Sequence, residues 1–178
     1  MMADKATLSV GGTMMAERVA RVLATAGCDP VWFVGGVHSA LAETTRAMLA
    51  DRHPGEGPVG GVITALAATG ELAGPPRGVV VAACDLVALD AETVASVIRR
   101  VDTGPDVCVA HTDRIEPLLG WWHPRTLRRV EEAFAVGIRA LHQVLAGLDV
   151  EVVDVPAPTM HNVNKHEEWA AATMGPIG

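Results

Sequence analysis

The run Val79-Val80-Val81-Ala82-Ala83, entered through Gly78 and left through Cys84-Asp85, constrains this chain more than any other segment. Its apolar residues are consecutive, so they cannot divide between core and water as an alternating strand does. They read as a strand covered on both faces. Such strands belong to sheets with helices packed on each side. A carboxylate placed directly after the run then lies at the carboxyl edge of the sheet, where open α/β sheets place their ligands.

The rest of the chain repeats that grammar. Val19, Val22, Leu23 and Ala26 share a helical face within Met14 to Ala26, and Gly27 ends it. Val31 to Val34 is a buried strand closed by Gly35-Gly36. Ala40 to Leu49 reads as helical. Pro58 opens a helix carrying Val59, Val62, Ile63 and Leu66 on one face, and proline at a first helical position loses no hydrogen bond. Asp90 caps a helix bearing Val94, Val97, Ile98 and Val101. Val107 to His111 is a strand, and Leu118 to Trp122 is extended. Pro124 starts a helix with Leu127, Val130 and Phe134, and Ile138, Leu141 and Leu145 mark another. Val150 to Val155 is a late strand, and Glu167 to Ala172 a short last helix. The alternation predicts a three-layer α/β/α sandwich with a mostly parallel sheet, a Rossmann-like arrangement. Only Ala6 to Val10 precedes the first helix as a candidate strand.

Composition narrows the function. The chain has 178 residues, 49% of them apolar and 20% charged, which suits one domain over residues 1–178. Its formal charge of −7 argues against nucleic acid or an anionic membrane as partner. Four Trp and two Phe, with no Tyr, leave little for base-stacking platforms. The three cysteines, Cys28, Cys84 and Cys108, are widely spaced and form no CxxC pair, so a disulfide framework is not expected. The first residues carry no apolar signal core. Charge-free runs such as Gly57 to Gly70 fall short of the roughly 20 residues a membrane span needs. A cytoplasmic protein is expected.

Several residues could carry chemistry, each with a plainer alternative. Asp85 could hold Mg²⁺ against nucleotide phosphates, or simply turn the chain. Gly57-Pro58-Val59-Gly60-Gly61 could present backbone N–H groups to an anion, or be an ordinary turn into a helix. Asp51, before Arg52-His53-Pro54, could be a solvated acid. Lys5 is one of two lysines among twelve arginines, a hint that an ammonium is wanted, or an exposed terminal residue. Asn162 and Asn164 could point the same way from an extended loop, or serve a turn. The seven histidines form no HxH or HExxH pattern, so zinc is not expected. There is no GxSxG elbow, and Asp85 beside Cys84 opposes thiolate formation.

Together the segments resemble the molybdenum cofactor guanylyltransferase family of the nucleotidyltransferase superfamily. Asp4-Lys5-Ala6-Thr7-Leu8 with Val10-Gly11-Gly12 resembles its "DKALL-x-V-G-G" stretch, and Met15 to Leu23 the helix that follows. Gly57 to Gly61 resembles "GPLaGi", Val80 to Leu86 the "CDlP" strand end, Glu116 to Gly120 "hPl-x-gl", and Asn162-Val163-Asn164 with Glu167-Glu168 "NvNtpeDl". The resemblance implies roles. Lys5 contacts nucleotide phosphate, and Asp51 lines the guanine-nucleotide site. Gly57, Pro58, Gly60 and Gly61 shape the nucleotide pocket. Asp85 holds Mg²⁺, and Lys5 and Asp85 are the catalytic pair. Asn162 and Asn164 line the substrate side.

The implied reaction is attack of the terminal phosphate of molybdopterin on the α-phosphorus of GTP, with pyrophosphate leaving. An anionic nucleophile needs no strong protein base, which suits a residue set of one metal carboxylate and no triad. A homo-oligomer is compatible with this reading. Family members also carry a strand and a "LAGGxSxRMG" loop before the DK pair, where this sequence has Met1-Met2-Ala3. Val87 stands for the usual proline, and Lys165-His166 for Thr-Pro. A chain without that loop is expected to transfer nucleotide poorly. In the family the strand lies between those matching Val31–Val34 and Val79–Ala83. Here Ala6 to Val10, a strand of a second copy, or closure of the flanking strands is expected to fill the gap. Cytidylyltransferases of the same cofactor and guanylyltransferases acting on phospholactate share the pattern. A non-catalytic nucleotide- or partner-binding relative and an assembly protein are the other readings.

Overall fold

The computed structural model describes residues 9–10, 13–35, 47–72, 74, 78–98 and 104–161. Eight strands are present among them. They are β1 (Ser9–Val10), β2 (Thr13–Met14), β3 (Trp32–Val34), β4 (Ala47–Leu49), β5 (Val79–Ala82), β6 (Val107–His111), β7 (Ile115–Trp122) and β8 (Val150–Asp154). The α-helices are α1 (Met15–Thr25), α2 (Pro58–Ala68), α3 (Ala91–Ile98), α4 (Leu127–Ala135) and α5 (Leu141–Leu145).

The largest sheet has the order β5-β7-β6-β8. β7 runs antiparallel to both β5 and β6, while β6 and β8 are parallel. Three of its four strands therefore point the same way, and β7 is the reversed one. Alternation along the strands sorts the core into two layers. Cys108, Ala110, Leu119, Trp121 and Val153 face α1 and α3 through Val19, Leu23, Val94 and Val97. Val107, Val109 and Trp122 face α2, α4 and α5 through Val59, Ile63, Val130, Leu141 and Val144. The α/β/α sandwich follows from that division. Trp121 and Trp122, adjacent in sequence, anchor opposite layers.

Two glycines are set by close approach. At Gly120 a Cβ would lie 2.9 Å from Val109 Cγ1. At Gly78 it would overlap the Trp121 indole. Asp90 caps α3 as expected, its Oδ1 accepting the Thr93 N–H at 2.7 Å.

Some elements differ from the sequence reading. Ala47–Leu49, read as the end of a helix, is β4 and pairs parallel with β3, Trp32 opposite Ala47 and Val34 opposite Leu49. Ala, Met and Leu are helix formers, and here tertiary pairing overrides that propensity. Pro124–Thr126 form a 3₁₀ turn, and the α-helix begins at Leu127. Residues 40–46 and the last helix at Glu167 to Ala172 lie outside the described residues.

Against expectation, neither Ser9–Val10 nor closure of the flanking strands fills the central gap among the described residues. Ser9–Val10 pair antiparallel with Thr13–Met14 in a hairpin leading into α1. β3 pairs only with β4, and β5 only with β7, among the described residues. Between β3 and β5 lies a cavity of about 780 Å³. Val31 to Gly35 line one wall and Gly78 to Ala82 the other, residue after residue. A strand face would contribute alternate residues, so consecutive lining means that the two strand edges face each other across a slot.

Candidate functional site

The carboxyl ends of the strands carry the polar groups. β4 leads to Asp51, β5 to Cys84-Asp85, β6 ends at His111 and β8 at Asp154. Asp51 organises the loop into α2. Its Oδ1 accepts the His53 N–H at 2.9 Å and the Thr64 hydroxyl at 3.1 Å. The Thr64 oxygen in turn accepts the Arg52 N–H at 3.0 Å. A Cβ on Gly35, just past β3, would lie 3.6 Å from Asp51 Oδ2, so this carboxylate bridges the β3 end and α2.

The glycines of the α2 entry divide by role. Gly57 precedes α2 with φ 84°, in the left-handed region that favours glycine. Pro58 takes the first helical position. Gly60 is buried, and a Cβ there would lie 2.9 Å from the His53 Cβ. Gly61 has open space beside it and lines the slot with Pro58.

Residues distant in sequence hold this loop from outside. The Arg139 guanidinium donates to Glu56 Oε2 and to the Phe134 carbonyl, each at 2.7 Å. It lies 3.6 Å above the centre of the Phe134 ring, and His53 packs on that ring with centroids 4.4 Å apart. No spacing in the sequence links Glu56 to Arg139, so Arg139, Phe134, His53 and Thr64 were not among the expected site residues.

Asp85 is half-buried in the turn after β5, its carbonyl accepting the Val87 N–H at 2.9 Å. Arg18 of α1 donates to the Val87 carbonyl at 2.7 Å and ties this turn to the helix. Cys84 lines the slot and packs with Met14, Ala16, Phe33 and Met48, joining the top of β5 to α1, β3 and β4. Pro58 and Gly61 of the α2 entry and Cys84, the neighbour of Asp85, therefore line one cavity. Lys5, Asn162 and Asn164 lie outside the described residues.

Mg²⁺ commonly keeps several waters and takes one or two carboxylates plus phosphate oxygens. Asp85 fits that share. Among the described residues no group of three His, Cys, Asp or Glu could form a protein cage for a metal. At the far corner of the edge His111 Nδ1 lies 2.8 Å from Asp154 Oδ1. Burial pushes the Cys28 thiol pKa up, so it is no activated nucleophile.

A carboxylate with three hydrogen-bond donors lies elsewhere. Asp106 precedes β6 at the opposite edge of the sheet, and the Arg125 hydrogen bond, at 2.7 Å, holds its pKa below the usual carboxylate value despite burial. Arg129 adds a second contact at 2.8 Å, and the Asp149 N–H a third at 3.1 Å. This is a staple joining β6, β8 and α4. Beside it, burial and then Arg125 lower the His123 pKa, consistent with Nδ1 accepting the Arg125 N–H at 3.0 Å.

A layered sheet with carboxylates at its carboxyl edge and a glycine-led helix entry beside them is the arrangement of a nucleotidyltransferase. The chain belongs to the MobA-like NTP transferase domain family, whose model matches residues 1–154. A probable molybdenum cofactor guanylyltransferase of Opitutus terrae is 31% identical over 95% of this chain and 81% of its own length. The solved molybdopterin-guanine dinucleotide biosynthesis protein A of Archaeoglobus fulgidus shares the fold with a TM-score of 0.75, at 22% identity, over 95% of this chain and 88% of that one. A Mycobacterium tuberculosis protein solved in complex with manganese superposes with a TM-score of 0.66 at 14% identity, over 94% and 89%. No helix among the described residues is long and apolar enough to cross a membrane.

Proposed function

We propose that this chain transfers GMP from GTP to molybdopterin, releasing pyrophosphate. The observation that carries the reading is the meeting of two loops at one cavity. Pro58 and Gly61 of the α2 entry, whose loop Asp51 fixes, line the cavity together with Cys84, which precedes Asp85.

The chemistry asks little of a protein base, because the attacking phosphate is already an anion. The work is alignment and charge stabilisation. On this reading the entry of α2, from Gly57 to Gly61, receives the nucleotide, with Asp51 setting the loop's shape. Asp85 holds Mg²⁺, which when bound neutralises phosphate charge. Lys5 contacts phosphate, and Asn162 and Asn164 face the acceptor.

The test is pyrophosphate release from GTP with Mg²⁺ and molybdopterin, with CTP run in parallel. Release that needs GTP, acceptor and metal together, and drops at least about tenfold in Asp85→Asn, supports the reading. Release from CTP alone replaces guanine by cytosine. Binding of GTP without release makes the chain a nucleotide-binding relative.

A further inference from the structure

We infer that Arg139 is a positioning residue for the nucleotide loop, acting on the entry of α2 through Glu56 and the Phe134–His53 ring contact. The inference rests on the reading that this entry receives the nucleotide.

The geometry is specific. Arg139 lies between α4 and α5, within reach of the last turn of α4 and of the loop that opens α2. Its Nε donates to Glu56, one residue before Gly57, at 2.7 Å. Its Nη1 donates to the Phe134 carbonyl in the last turn of α4 at 2.7 Å and to the Ile138 carbonyl in the loop after it at 3.3 Å. The guanidinium carbon lies 3.6 Å from the centre of the Phe134 ring, while His53 packs on the same ring at a tilt of 44°. A Cβ on Gly57 would lie 3.8 Å from the Arg139 carbonyl oxygen, so the backbone of Arg139 also borders the α2 entry.

A lone exposed ion pair would contribute little. Here one planar group makes an ion pair, two carbonyl bonds and a ring contact at once, a set that lysine cannot reproduce. Thr64 and Asp51 tie the loop to α2 from inside, and Arg139 is its outer restraint. The loop is thereby ordered before any ligand arrives, and that reduces the ordering cost of binding.

The test compares Arg139→Ala, Arg139→Lys and Glu56→Gln with the wild-type chain in two measurements. The first is amide hydrogen exchange across residues 53–61 without nucleotide. The second is KM for GTP, KM for molybdopterin and kcat. Arg139→Ala is expected to speed exchange in 53–61 by about tenfold or more. It should raise KM for GTP about tenfold, with kcat and the acceptor KM within about twofold. Glu56→Gln should shift the same quantities in the same direction by less, and Arg139→Lys should fall between.

Unchanged exchange in 53–61, or an unchanged KM for GTP in a folded variant, overturns the inference. Equal losses in kcat and in both KM values also overturn it, because they report general destabilisation. If Arg139→Ala does not fold, Arg139→Lys and Glu56→Gln decide by the same criteria. A wild-type chain that neither binds GTP nor turns it over overturns the proposed function. The exchange comparison then still decides whether Arg139 orders the loop.

Discussion

The Asp51 carboxylate and the Thr64 hydroxyl meet at 3.1 Å and close a ring that contains the whole entry of α2. The loop after β4 is thus bonded to the second turn of the helix it opens. Thr64 is buried and also accepts the Arg52 N–H. Thr64→Val keeps the shape and leaves that N–H and one carboxylate bond unmet. Stability should fall by about 1–3 kcal/mol in denaturant unfolding. A midpoint equal to wild type would show that the ring contributes nothing.

Gly60→Ala sets helix propensity against packing. Alanine in a helix interior favours folding by about 1 kcal/mol over glycine. Here its Cβ would lie 2.9 Å from His53 Cβ and 3.1 Å from the His53 carbonyl, so the loop must shift. The expected result is a protein no more stable than wild type, with GTP affinity lowered about tenfold. A variant that melts higher and gains the same thermal shift from GTP would contradict this.

Stability should fall with acid in two separate steps. Folded His123 holds a proton less tightly than the unfolded chain, because of burial and Arg125. Its contribution is full above about pH 6.5 and is lost as pH falls through the lowered folded value. Asp106 behaves alike further down. Arg125 keeps its folded pKa below the unfolded value, so its contribution is full above about pH 4 and is lost below that. Unfolding free energy measured from pH 8 to 3 should show both steps. Asp106→Asn should shrink the lower one, leaving the share of Asp113, whose pKa the Thr112 hydroxyl also lowers; a lower step of unchanged size would take Asp106 out of it.

Asp85→Asn preserves shape and removes a charge. It should leave the melting temperature without ligand within a few degrees of wild type, and weaken Mn²⁺ affinity with GTP present by about tenfold or more. Equal Mn²⁺ affinity in the two proteins would take Asp85 out of the metal site.

The parts of this molecule that could be read in advance are those coded by neighbours in sequence. Val79 to Ala82 announced a covered strand because no polar residue interrupts it, and Asp90 announced a cap because its partner N–H is only three residues away. Gly57 to Gly61 read locally as a turn into a helix and Asp51 as a loop acid, whereas their bonding depends on Thr64 and His53. Ala47–Leu49 was misread because its residues favour helix, and its pairing with β3 is not written locally. Arg139 was missed for the same kind of reason. Its partner Glu56 lies 83 residues away, and only the packing of α4 against α2 brings them together.

The slot between β3 and β5 has a mechanical consequence. Asp51 stands beyond the two-stranded pair β3–β4, and Asp85 stands beyond the four-stranded sheet. Among the described residues no ladder of backbone hydrogen bonds joins those two rafts. Among the described residues the two are joined by side chains, those of α1 and α2 that line the slot and the small cluster of Met14, Ala16, Phe33, Met48 and Cys84. Contacts of that kind yield over fractions of an ångström where a hydrogen-bonded ladder does not. Among the described residues, the spacing between the two acids is therefore carried by packing and by no backbone ladder.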